Sequence, residues 1–153
     1  METVSPPSLE ARRERHGEPA APLRWPEGGA TRVPYQVFSD PAIYALEQQK
    51  IFRGPLWHYL CLETEVRRPG DVRTTWIGDT PIVVTRDEDG SLHGMVNRCA
   101  HKGALVCLKD RDHKKSLTCV YHAWNYGLDG RLIGVAFRNG VKGKGGMPED
   151  FDP

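Results

Sequence analysis

The sequence has no apolar run approaching the roughly 18 residues that a membrane-spanning helix needs. Its N-terminus also lacks the short apolar stretch of a secretory signal, so a cytoplasmic location is expected. Arg12-Arg13 could open a twin-arginine signal, but Glu14, Arg15, His16 and Gly17 stand where an apolar segment would have to begin. Charge of one sign is missing as well. With 21 basic and 20 acidic residues the net charge is +1, which offers no long-range field for nucleic acid or an anionic membrane. Cysteine is scarce, four in 153 residues, and unevenly placed. Cys99 and Cys119 are each closely followed by a histidine while Cys61 and Cys107 stand alone, a pattern of metal binding rather than a disulfide framework. There is no internal repeat.

What is present divides the chain into four stretches, with length enough for one domain with a true core. Residues 1–30 mix Pro6, Pro7, Pro19, Pro22 and Pro26 with many charges, which predicts a disordered lead-in. Residues 31–56 form an N-terminal segment with a short helix. Asp40 is its N-cap, Pro41 its first position, and Gly54-Pro55 its stop just after Phe52. On it, Ile43, Leu46 and Ile51 are expected to face a core while Glu47, Gln48 and Lys50 stay wet. From Trp57 the pattern becomes short strands: Trp57 to Glu63, Val72 to Ile77, Ile82 to Arg86 and Leu92 to Asn97, separated by Gly- and Asp-rich turns. Ser116 to Cys119, Ala123 to Tyr126 and Leu132 to Val135 follow, the last two joined by a Leu128-Asp129-Gly130-Arg131 hairpin turn. The fold class is mainly β and antiparallel, with the domain spanning 57–140. Residues 141–153 are Gly-rich and read as the start of a linker rather than a terminus that packs.

The chemistry lies in two mixed arms, C-x-H at Cys99 to His101 and C-x2-H at Cys119 to His122, separated by residues 102–118. Each arm supplies one thiolate and one imidazole, so two neighbouring loops can bring four ligands to a two-iron, two-sulfide centre. Thiolates suit the buried iron and imidazoles the outer one. Two neutral imidazoles in place of two thiolates remove negative charge and make such a centre easier to reduce than an all-cysteine one. A free ring nitrogen on each histidine can exchange a proton with water and face a partner. Gly103 permits a tight turn in the first loop, and Trp124 offers an apolar lid near the second. Cys61 and Cys107 are expected to be inert small hydrophobes, and His16, His58, His93 and His113 solvated or structural. No catalytic residue is assigned. The alternative for the four ligands is one structural zinc ion, although such sites usually open with C-x2-4-C and both arms here are mixed.

Five segments carry a family resemblance: Arg32-Val33-Pro34-Tyr35, Glu47-Gln48-Gln49, Trp57 to Glu63, Asn97-Arg98-Cys99-Ala100-His101-Lys102-Gly103-Ala104, and Cys119-Val120-Tyr121-His122-Ala123-Trp124. They resemble the large (α) subunits of Rieske non-haem iron aromatic ring-hydroxylating dioxygenases, in particular the terephthalate, anthranilate and salicylate hydroxylase branch. The tail from Gly134 to Pro148 looks similar and leads towards that family's catalytic domain. Lys102 departs from the commoner arginine, and residues 1–30 match no counterpart. The extra cysteines of respiratory-chain Rieske proteins are absent, with Gly103, Ala104 and Tyr121 in that neighbourhood.

The resemblance implies a Rieske-type antiparallel β-sandwich with two cluster-binding loops and a 2Fe-2S cluster on Cys99, His101, Cys119 and His122. It implies electrons arriving from a reductase or ferredoxin and leaving for a mononuclear iron in the catalytic domain of a same-type subunit, with a small β subunit as a possible further partner. There, dioxygen would attack an aromatic ring, by this branch an aromatic carboxylate. The two histidines and carboxylate that hold the mononuclear iron have no match here, so a partial large subunit is the expectation. A stand-alone Rieske ferredoxin is the alternative, and residues 31–56 argue against it because such ferredoxins resemble a bare β-domain.

Overall fold

Antiparallel pairing organises most of the chain from Asp71 onward, and a short helical region precedes it. The computed structural model describes residues 22–27 and 29–151, so the lead-in expected over 1–30 lies largely outside the described residues. Two compact units are present, Met1–Trp57 and His58–Pro153.

In the first unit, α1 is a single turn, Gln36–Ser39, and α2 spans Pro41–Glu47. The Asp40 carboxylate caps α2 as the sequence predicts, accepting the Ala42 N–H at 2.9 Å with Pro41 at the first position, where a missing N–H costs nothing. Beyond Glu47 the chain widens into a π turn, Gln48–Phe52, before Gly54. That extra residue per turn rotates the following side chains off the α-helical face. At this turn the predicted faces are corrected, with Gln48 buried and Ile51 exposed; within α2 itself Ala42 is the buried residue and Leu46 is exposed.

In the second unit, β1 (Asp71–Ile77), β2 (Thr80–Arg86), β3 (Leu92–Val96) and β4 (Arg111–His113) form one sheet in the order β3-β2-β1-β4. A second sheet holds β5 (Leu117–Thr118), β6 (Asn125–Tyr126) and β7 (Leu132–Gly134) in sequence order. All pairings are antiparallel, and the β6–β7 turn falls at the predicted Leu128 to Arg131. The central strand β2 is buried along Pro81 to Thr85, which suits its Ile-Val-Val run. Val72 and Val83 of the first sheet and Leu117 and Tyr126 of the second meet in one core, together with Cys99, Cys107, Cys119, Trp124 and Leu128. Thr85, wholly buried, ties the sheets by donating its hydroxyl to the Leu128 carbonyl at 2.5 Å.

Two expectations are revised. Residues 57–63 are extended without a ladder partner and lead into a 3-10 turn, Glu63–Glu65; Leu60 and Cys61 pack on a smaller cluster of Val66, Ile82 and Val84. The Gly-rich tail does pack: Met147 and Phe151 lie against the main core, and Phe151 meets Trp124 edge-on at 5.9 Å between ring centroids. Among the described residues, no helix is long and apolar enough to cross a membrane.

Candidate metal centre

The two Cys/His arms are loops between strands, and their backbones make the same turn twice. In the first, Cys99 N–H donates to the Ala104 carbonyl and Gly103 N–H donates to the Cys99 carbonyl, both at 2.8 Å. In the second, Cys119 N–H donates to the Trp124 carbonyl at 2.8 Å and Ala123 N–H to the Cys119 carbonyl at 3.0 Å. Each cysteine is thus locked to the residue five positions on, and the fourth position lies in the left-handed region: Gly103 at φ 71° and Ala123 at φ 55°. Glycine takes that conformation freely, whereas alanine takes it at a cost of roughly 1–2 kcal/mol. A strained alanine between His122 and Trp124 shows how firmly the surrounding bonds impose the turn.

The first loop is held from beneath by Asn97, a buried side chain that sequence reasoning left unassigned. Its amide oxygen accepts the N–H groups of Val106 and Cys107 at 3.1 and 2.8 Å, and its amide nitrogen donates to the Cys107 carbonyl at 2.8 Å. The signal for it was available, since a polar residue ending a strand immediately before a ligand loop needs partners if buried.

These turns bring the four sequence-predicted side chains together in two layers. Cys99 and Cys119 are 3% and 2% exposed, both are free thiols, and their sulfurs lie within hydrogen-bonding reach. Outside them the imidazoles of His101 and His122 meet edge to face, 4.7 Å between centroids and 69° apart. His101 also stacks on Trp124 at 4.8 Å and 9°, so the predicted apolar lid covers His101. His122 is exposed beside Tyr121, with ring centroids 3.8 Å apart. His101, Val120, Tyr121, His122, Phe137 and Met147 line one open cleft, with Val120, Tyr121 and Phe137 strongly exposed on its rim.

The electrostatics favour metal-binding forms of these groups. Burial pushes the Cys99 thiol up, but hydrogen bonding to Tyr126, the His101 backbone, Cys119 and the Lys102 backbone outweighs it and leaves the thiol below its ordinary range. Burial, then the neighbouring His122 and Lys102 charges, hold His101 below the usual histidine range, in the neutral form a ligand requires. Tyr126, missed by sequence reasoning, approaches Cys99 Sγ with its hydroxyl at 3.2 Å and accepts the Ala100 N–H at 3.0 Å. Burial first, and then the Cys99 sulfur, push its phenol up to about 12, so it keeps its proton. Cys61 and Cys107 lie outside the group, and burial pushes both thiols up.

The donor set fits a two-iron cluster. His101 Nδ1 is sealed from water and has no hydrogen-bond partner, the state of a ring nitrogen left for a metal. Paired thiols within, paired imidazoles without, and two antiparallel sheets behind them define an iron–sulfur electron-transfer domain.

The comparison with known proteins gives that class its family. Residues 56–143 match the Rieske [2Fe-2S] domain, and the chain belongs to that family. It is 51% identical over 152 residues to the anthranilate 1,2-dioxygenase large subunit of Burkholderia cepacia, covering 99% of this chain and 35% of the relative. It is also 51% identical over 129 residues to the terephthalate 1,2-dioxygenase terminal oxygenase component subunit alpha 2 of Comamonas sp, covering 84% and 31%. Among solved structures, naphthalene 1,2-dioxygenase from Rhodococcus sp. bound to indole superposes with a TM-score of 0.65 at 33% identity, over 72% of this chain and 25% of that one. The chain spans about a third of the length of the curated relatives it matches, namely the Rieske part of their large subunits. The near-complete match to the Burkholderia subunit corrects one expectation, since residues 1–30 do have a counterpart.

Proposed function

We propose that Cys99 and Cys119 hold the inner iron and His101 and His122 the outer iron of the 2Fe-2S cluster. On this reading the chain is the one-electron relay of an aromatic ring-hydroxylating dioxygenase large subunit. The observation that carries the assignment is the repeated turn, which sets two buried thiols side by side beneath two imidazoles 4.7 Å apart. When bound, the cluster accepts and releases one electron at a time. The chain's own residues do the rest. The thiolates sit in the core and exclude water from the inner side, and Trp124 fixes the plane of the His101 ring. His122 presents the exposed imidazole edge to a partner across the rim of Val120, Tyr121 and Phe137.

The relatives are named for anthranilate, terephthalate and salicylate, which supports an aromatic carboxylate as the substrate of the whole enzyme. Its electron would come from a reductase or ferredoxin in the cytoplasm and pass to a mononuclear iron in the catalytic domain of a same-type subunit. Residues 141–153 lead towards that domain.

The test is iron and acid-labile sulfide content of anaerobically purified protein, with low-temperature EPR after dithionite reduction. About two irons and two sulfides per chain and the low average g-value of mixed ligation are expected. Cys119→Ala should lose that signal and Cys107→Ala should keep it. A normal cluster in Cys119→Ala would sink the assignment.

A further inference from the structure

The Gly-rich tail turns back onto the ligand loops through a closed loop. Gly140 N–H donates to the Phe137 carbonyl at 2.7 Å, and Met147 N–H donates to the Arg138 carbonyl at 2.8 Å. Gly146, at φ 107°, lies so close to the returning chain that a Cβ on it would stand 2.6 Å from the Arg138 carbonyl oxygen. Glycine at that position lets the loop close. The closure brings the chain back to Arg138, which holds the half-buried Phe151 twice. Its guanidinium donates to the Phe151 carbonyl at 3.1 Å and lies 6.0 Å from the centroid of the Phe151 ring. That ring meets Trp124 edge-on at 5.9 Å, and Trp124 in turn stacks on His101 at 4.8 Å and 9°. Arg138, Phe151, Trp124 and His101 thus form a series of contacts that joins the tail to one imidazole.

We propose that Arg138 and Phe151 form a clasp that holds the Trp124 lid closed over His101, acting as positioning residues for that ligand. The inference rests on the ligand assignment above. Stacking fixes the angle between two rings but not the place of the pair, and the edge-on contact from Phe151 supplies the second direction of restraint. Arg138 anchors Phe151 through both ring and backbone, so the clasp does not depend on one contact. What it protects is the sealed side of His101, whose Nδ1 is cut off from water and has no hydrogen-bond partner. A lid that swung outward would admit water to that nitrogen, where it would compete with the imidazole for a metal. His122 packs on Tyr121 instead, so the clasp bears directly on one imidazole of the two. If the tail only adds apolar packing to the domain, its loss lowers Tm and leaves the His101 ring as it was.

The experiment takes the full chain carrying its cluster, reduced with dithionite, as wild type, Phe151→Ala, Arg138→Ala and the double variant. Iron release to bathophenanthroline disulfonate is timed well below Tm, and pulsed EPR reads the histidine nitrogen couplings and the deuterium modulation after exchange into heavy water. Release that requires the lid to open should quicken about two- to tenfold in Phe151→Ala, the factor that one lost aromatic contact allows. One nitrogen coupling should change and deuterium modulation should rise, while the other coupling stays. Arg138→Ala should move the same readings in the same direction. The double variant should match Phe151→Ala, because Arg138 acts through Phe151. Wild-type release and couplings in loaded Phe151→Ala, or additive effects in the double variant, overturn the clasp while leaving the four ligands assigned. Should Phe151→Ala fail to load, Arg138→Ala decides on the same two readings. Wild type without two irons and two sulfides would remove the ligand assignment, and the clasp's role with it.

Discussion

Asn97→Ala is expected to loosen the first ligand loop while leaving all four ligands in place. The amide makes three hydrogen bonds to residues 106 and 107, and both it and Cys107 are buried. Truncation strands the N–H and C=O of Cys107 away from water and the N–H of Val106 at a half-buried position. A stranded buried polar group costs about 1–3 kcal/mol, so the two at Cys107 set a floor near 2 kcal/mol and the total is about 3 kcal/mol. The unit from His58 to Pro153 is of a size for which 1 kcal/mol moves Tm by about 4–8 °C, and the expected fall exceeds about 10 °C. The assay is thermal loss of the visible cluster absorbance at a fixed scan rate, beside far-ultraviolet circular dichroism. Absorbance should be lost before secondary structure, because the damage is confined to the loop carrying Cys99 and His101. Asn97→Asp, which keeps the oxygen that accepts both N–H groups, should fall between the two proteins. A Tm for Asn97→Ala within about 2 °C of wild type would refute the reasoning, since it would mean that water or a shifted backbone satisfies all three groups.

Two further outcomes are expected. Ala123→Gly should raise the temperature of cluster loss by a few degrees, because it removes left-handed strain of roughly 1–2 kcal/mol against a smaller entropic cost; Gly103→Ala should lower it, and shifts of the same sign would contradict the shared turn. Glu65, Asp71 and Asp112 are all held below the usual carboxylate range, chiefly by the backbone N–H groups of Leu62, Arg68 and His113 and then by Arg73 and Arg111, His113, and Lys109 and Lys114 respectively. Folded values below unfolded ones mean stabilisation that is present above about pH 4 and lost as pH falls through the folded values. Glu65→Gln should therefore lower Tm at pH 6 and make less difference near pH 3, and an equal deficit at both would reject the linkage.

Much of the second unit was legible because its turns are punctuated by glycine and aspartate and its strands alternate or run apolar between them. β1, β2, β3 and β7 appear within two residues of the predicted limits. The strand β4 was hidden because Arg111-Asp112-His113 has no apolar pattern at all. It pairs at the sheet edge through charge: Arg111 lies opposite Arg73 and both reach Glu65, while His113 lies opposite Asp71 at 3.1 Å. These partners are far apart in sequence, so no local window contains the reason for the strand. Trp57 to Glu63 failed in the other direction, since its apolar residues suited a strand but no neighbouring edge pairs with it.

At the site, the four donors were legible from spacing, and the turn beneath them was not. Counting from cysteine to histidine makes the arms look unlike, two residues against three. Counting from each cysteine to the fourth residue makes them the same, with small residues, Gly103 and Ala123, in left-handed conformation at both. Because the backbone turn is shared while the histidine is displaced by one position, the two imidazoles leave their loops in different directions. One consequence is chemical: His101, two residues on, is covered by Trp124 and has its Nδ1 sealed inside. His122, three residues on, stands in the open next to Tyr121. The one-residue difference in spacing thus leaves one imidazole stacked on Trp124 and the other in the open, although the two backbone turns beneath them are equivalent.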